Sequence, residues 1–127
     1  MKKAILWVAI ALAIVVMFSL VGTIPPHSMT VGAMTETYAR INLYLDKNGH
    51  LPPDLTGLPV RKTHINRTTD GWGNQLLYSI NQDQTVTLTS LGRDERPGGA
   101  GDDVDIFRQY RLVDGRLEEI RSLRPPD

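Results

Sequence analysis

The sequence predicts an α+β protein: an N-terminal transmembrane helix, then an amphipathic helix packed on a small antiparallel sheet. Three observations predict it. Residues 4–24 run without a charge. Apolar residues then recur at steps of three and four over residues 31–48. After that, short β-prone runs are separated by turn residues. A helix followed by a set of hairpins must bury the helix stripe on one sheet face, which is the α+β solution.

The first element is the apolar one. As a helix its 21 residues would cover about 31 Å, close to the hydrocarbon thickness of a bilayer. Lys2 and Lys3 stand just before it, so the positive-inside rule keeps the N-terminus cytoplasmic and sends the rest outward. A cleaved signal peptide is the rival, but its apolar core is shorter, and the small residues Val31-Gly32-Ala33 lie well past this core. Residues 1–26 are therefore expected to be stub and anchor, and residues 27–127 one exported domain. Pro25 and Pro26 are expected to stop the helix.

In the second helix Val31, Met34, Tyr38, Ile41 and Leu45 make the apolar stripe. Ser28 or Thr30 is a candidate cap, and Asn48-Gly49 a stop. Leu51-Pro52-Pro53 must be extended. Residues 54–69 carry no period and read as a long loop. The sequon Asn66-Arg67-Thr68 within it is too short a pattern to weigh.

The strands follow. Leu76-Leu77-Tyr78-Ser79-Ile80 and Thr85-Val86-Thr87-Leu88-Thr89-Ser90 flank a turn at residues 81–84, with Val86 and Leu88 on one face. Residues 106–113 and 116–123 flank Asp114-Gly115, a strong two-residue hairpin signal. Arg124-Pro125-Pro126-Asp127 is expected to fray.

Composition removes several functions. Lys plus Arg and Asp plus Glu are 14 each, so no basic excess points to nucleic acid. Without cysteine there are no disulfides, thiol nucleophiles or Cys-ligated metals. His27, His50 and His64 are scattered and form no ligand pair. Beyond Lys2 and Lys3 the chain holds 12 basic and 14 acidic residues, a net charge of −2. That balance does not suggest docking of the exported part on anionic lipid.

Two loops stand out. In Thr69-Asp70-Gly71-Trp72-Gly73-Asn74 the flanking glycines suggest a tight turn with Trp72 plugging the core. Between Gly92 and Asp105, four aspartates and four glycines are packed into 14 positions. Hard cations want six to eight oxygens from carboxylates and carbonyls, and glycines let carbonyls turn inward. The spacing is not that of an EF-hand, and a solvated acidic turn is the plain alternative. Asp94, Glu95, Asp102, Asp103 and Asp105 also contain enough acids for a catalytic pair, but all share one loop, whereas such a pair must oppose across a substrate. An enzyme is not expected.

Taken together, these blocks resemble the C-terminal domain of the major pseudopilin of type II secretion systems, the G-type pseudopilin. Tyr44-Leu45-Asp46-Lys47-Asn48-Gly49-His50-Leu51-Pro52 is similar to the family's helix end, and Gly57-Leu58 sits where the family has Gly-Leu. Asp70-Gly71-Trp72-Gly73-Asn74 resembles its Asp-Pro-Trp-Gly-Asn. Leu88-Thr89-Ser90-Leu91-Gly92-Arg93-Asp94, Gly98-Gly99 and Gly101-Asp102-Asp103-Val104-Asp105-Ile106 resemble its last loop. The ordered set covers residues 34–106. In that family the last loop binds calcium (Ca2+) through aspartates and backbone carbonyls. Carried over, the ligands are Asp94 with Asp103 or Asp105, and carbonyls near Leu91 and Arg96.

The resemblance implies a single-pass protein of the bacterial inner membrane, its domain periplasmic or extracellular. Its partners would be envelope proteins, other pseudopilins or copies of itself. Three departures qualify it. No Gly-ended leader or Glu at the fifth apolar position is present, Pro25-Pro26 interrupts the long helix, and residues 106–123 make a hairpin the family does not lead one to expect. A non-polymerising adaptor of the same fold is the alternative expectation.

Overall fold

The structure, a computed structural model, describes residues 1–20 and 22–123. The predicted frayed tail at 124–127 lies outside them. Helix α1 covers Lys2–Leu20, and its described side chains from Lys2 to Ser19 are exposed. Nineteen residues give about 28 Å of helix. By length and composition it suffices to cross a membrane.

Helix α2 covers Pro26–Asn48, five residues more at its start than the apolar stripe suggested. The proline expected to end the first helix instead begins the second. At the first helical position it lacks an N–H that would go unpaired anyway, and its φ is already helical. Accordingly neither Ser28 nor Thr30 caps the helix: Pro25 is the N-cap residue and makes no side-chain cap bond. At the other end Gly49 adopts φ 75° and donates its N–H to the Leu45 carbonyl at 2.8 Å, closing the helix as predicted.

Strands β1 (Leu77–Ile80), β2 (Thr85–Ser90), β3 (Ile106–Val113) and β4 (Arg116–Leu123) form one antiparallel meander in chain order. Asp114 and Gly115 take φ of 49° and 79°, the positive pair that a two-residue hairpin requires. A short 3-10 turn, Gly101–Asp103, precedes β3. The register slips between Gln109 and Tyr110, where β4 carries one extra residue, Ile120, a bulge that bends β4.

Met34, Ile41 and Leu45 of α2 pack on Val86, Leu88, Ile106, Tyr110 and Leu117 of the sheet, with Leu55, Leu58 and Leu76 closing the sides. Val31 and Tyr38, expected in the stripe, lie at its edge. Tyr38 stacks on Tyr110 at 4.7 Å and donates its hydroxyl to the Leu117 carbonyl at 2.8 Å. Asn42 Oδ1 accepts the Leu117 N–H at 2.8 Å. Both backbone groups of one edge-strand residue are thus held by α2, and the last hairpin is part of the domain rather than an appendage.

Residues 54–69 form a loop without a helical turn, held to α2 by polar side chains. Arg40 is buried and donates to the carbonyls of Pro59 at 2.7 Å and Leu58 at 3.1 Å. Burial lowers its pKa from the ordinary value. Arg61 pairs with Glu36 at 2.7 Å. The Asn66 amide closes the loop on itself, accepting from Arg61 N–H and donating to the Arg61 and His64 carbonyls.

Candidate functional site

The two loops singled out in the sequence meet at one end of the domain, and Asp70 joins them. It is 1% exposed. Its Oδ1 accepts the N–H groups of Trp72 at 3.0 Å and Asn74 at 2.9 Å, so the carboxylate organises the turn locally. Its Oδ2 accepts the Ser90 hydroxyl at 2.7 Å. Ser90 Oγ in turn accepts the Gly92 N–H at 3.2 Å, while Asn74 Nδ2 donates to the Gly92 carbonyl at 3.2 Å. The base of the acidic loop is therefore fixed through the turn.

The same turn is pressed against the start of α2. Thr30 Oγ1 accepts the Gly71 N–H at 2.9 Å. A Cβ at Gly71 would lie 2.1 Å from the Pro26 carbonyl oxygen, so glycine is required by close approach. Trp72 does not plug the core. It is half-buried, with its ring edge-on to His27 at 5.1 Å. The tight turn points the indole along the α2 N-terminus, while the buried side chain of this segment is the carboxylate beside it.

The acidic loop folds closely on itself. Arg93 N–H donates to the Asp102 carbonyl at 2.8 Å. A Cβ at Gly92 would come within 2.7 Å of the Asp103 carbonyl carbon, and Gly92 has φ 76°. Its five acids are countered in part by Arg93 within the loop and by His27 of α2. Arg93 donates to Asp103 through Nε at 3.2 Å and Nη2 at 3.4 Å, and its Nη1 is 3.6 Å from Asp102. These carboxylates raise the Arg93 pKa, the hydrogen bond to Asp103 most. His27 Nε2 is 3.3 Å from Asp102 Oδ1. Arg93 and His27 were not among the predicted site residues. A guanidinium two places after Leu91 was a visible signal; the approach of His27 from 75 positions away was not.

The predicted calcium ligands are only partly brought together. Asp94 Oδ1 accepts the Arg96 N–H at 3.1 Å in a local turn. Asp103 is engaged by Arg93, and Asp105 Oδ2 accepts the Gly98 N–H at 3.0 Å. Asp105 Oδ1 is buried without a hydrogen-bond partner among the described residues. Such an oxygen suits a hard cation, as do the carbonyls of Leu91 and Arg96. Among the described residues no three His, Asp or Glu side chains converge. Carboxylate and carbonyl oxygens are the donor type that calcium takes, while Asp103 is held by Arg93.

A model of the type II secretion system (T2SS), protein G, matches residues 33–109, well over half of the chain. The chain belongs to the protein G family. No similar curated protein and no similar solved structure was found. In this protein G chain the matched segment runs from the third turn of α2 into β3 and contains both loops of the site. The family is a structural one within the secretion apparatus, and the exposed apolar α1 is compatible with a membrane-anchored member. The second half of the last hairpin, β4, lies beyond the match.

Proposed function

We propose that this protein G chain is a single-pass structural component of a type II secretion or pilus-like machine in a bacterial inner membrane. Its N-terminus is cytoplasmic and its domain stands on the periplasmic or outer side. It acts by packing against other envelope proteins and not by catalysis. The family match over residues 33–109 carries the reading. Lys2 and Lys3 before α1 support the orientation. Protease treatment of spheroplasts and of inside-out vesicles tests the topology: the domain is cleaved in spheroplasts, where its own side is exposed, and spared in inside-out vesicles. Cleavage from the cytoplasmic side, or a soluble chain, overturns it.

Calcium is part of the proposal. Asp105, whose Oδ1 is buried and unpartnered, would hold it with Asp94 and the carbonyls of Leu91 and Arg96, and with Asp103 once Arg93 lets go. The ion would supply positive charge that orders an acidic loop. Arg93 then competes with calcium for Asp103. A ligand at a hundred times its dissociation constant stabilises the folded state by about 2.7 kcal/mol. Arg93→Gln is expected to enlarge the difference in melting between millimolar calcium and chelator, and Asp105→Asn to shrink it. Identical melting with and without calcium in both variants removes the ion from the reading.

A further inference from the structure

We propose that residues 60–67 are a membrane-contacting patch that seats the domain on the anionic headgroups of the bilayer holding α1; this rests on α1 being a membrane anchor. Over the whole domain the net charge is slightly negative, but the charges are segregated. From residue 55 to residue 69 there is no acid, and Arg61, Lys62 and Arg67 are all basic. Arg61 is paired with Glu36. Lys62 and Arg67 have no side-chain ion pair among the described residues.

Apolar groups accompany the charge. Val60 is 75% exposed and Ile65 76%, beside Ile24 at 68%. Basic residues interleaved with exposed aliphatic ones suit the boundary between headgroups and acyl chains. The loop is built to present them, because the Asn66 amide pins residues 61 and 64 and leaves Lys62 and Ile65 facing out.

Its position in the fold is the second part of the argument. A cavity of about 490 Å³ lies between this loop and the first turns of α2, lined among others by Ile24, Met29, Ala33, Glu36, Ile65 and Arg67. Thr37 Oγ1 also donates to the Arg67 carbonyl at 3.3 Å. Ile24 and Ile65 line the same cavity, so the loop tip lies beside the start of α2, while Arg67 is held about three turns further along it. Ile24 is four residues beyond the end of α1, a tether of at most about 14 Å when extended. The interfacial layer on each side of a bilayer is about 5–8 Å deep. The patch is thus held within reach of the headgroups, with an apolar recess open beside a guanidinium. An anionic phospholipid has that chemistry: a phosphate for Lys62 and Arg67, and hydrocarbon for Ile24, Met29 and Ile65.

The test uses the full chain in nanodiscs of phosphatidylcholine alone, or with about one third phosphatidylglycerol. Backbone hydrogen exchange is read over residues 58–68. Exchange there is expected to slow several-fold with the anionic lipid, and Lys62→Glu with Arg67→Glu to abolish the difference. Each lost basic charge should weaken the lipid dependence roughly fivefold. Ile65→Asp should act likewise, while Arg111→Glu, on β3, should not. Unchanged exchange in β2 and β3 shows that the variants are folded. Equal exchange in both lipids, or the same protection by free glycerol phosphate, overturns the patch. Flotation of the chain with vesicles is measured in parallel. A chain that does not float refutes the anchor itself; one that floats with an unprotected loop refutes the patch alone.

Discussion

Replacing Asp70 should unfasten the two loops from each other. Three donors lose their acceptor in Asp70→Ala: the N–H groups of Trp72 and Asn74, and the hydroxyl of Ser90. Ser90 is 1% exposed, so water does not replace the lost partner. A buried group left unpaired costs about 1–3 kcal/mol, and bonds to a charged acceptor lie at the upper end of the range for hydrogen bonds. With the turn amides partly reached by water, Asp70→Ala should cost about 3–5 kcal/mol. Asp70→Asn keeps one oxygen for the two amides and loses only the acceptor facing Ser90, so about 1–2 kcal/mol is expected. Ser90→Ala should cost a similar amount, and the double variant Asp70→Asn/Ser90→Ala less than the sum, because the two share one bond. The assay is urea unfolding of the full chain in detergent, followed by near-ultraviolet circular dichroism. Hydrogen exchange of residues 91–105 should quicken in Asp70→Ala even where the sheet stays protected. A cost below about 1 kcal/mol for Asp70→Ala, or equal costs for the Ala and Asn variants, would refute this account of the site.

Tyr110→Phe should be neutral or stabilising by up to about 1–2 kcal/mol, since its hydroxyl is buried without a partner among the described residues. The same burial raises the Tyr110 pKa far above the ordinary range. Loss of stability on thermal unfolding would show that the hydroxyl has a partner. Trp72→Ala should cost only about 1–2 kcal/mol, less than a core truncation, because the ring is half-buried against His27; a loss of 3 kcal/mol or more would return it to the core. The hydrogen bond from Arg108 holds the Glu119 pKa below its ordinary value of 4.5, with donor distances of 2.9 and 2.6 Å. The pair's contribution is therefore full above that value and is lost as pH falls through the lower, folded one. Glu119→Gln should lower stability by less than about 1 kcal/mol at neutral pH and flatten the acid limb below pH ~4.5; an unchanged acid limb would count against the pair.

The local elements were legible because each is set by neighbours in sequence. The charge-free run at residues 4–24, the Gly49 stop and the Asp114-Gly115 turn depend on hydropathy or φ, and a few consecutive residues state both. The start of α2 was misplaced because proline has opposite meanings inside a helix and at its first position, and only the chain path says which holds.

The site divides in the same way. That the two loops carry Asp and Gly in a secretion-system pattern is written in the sequence, as is the absence of any cysteine chemistry. What binds each aspartate is not. Asp70 became the buried hub and Trp72 the half-exposed neighbour because a close approach of Gly71 to Pro26 fixed the turn. Arg93 fell between Asp102 and Asp103, and His27 reached the same loop from the far end of the domain chain. Likewise the average charge of residues 27–127 and the acid-free run at residues 55–69 are readable from a count, but the placement of that run beside the α2 N-terminus is not. Sequence fixes which groups exist and how the backbone bends nearby; which charge meets which is decided by long-range packing, where burial and distance set the energies.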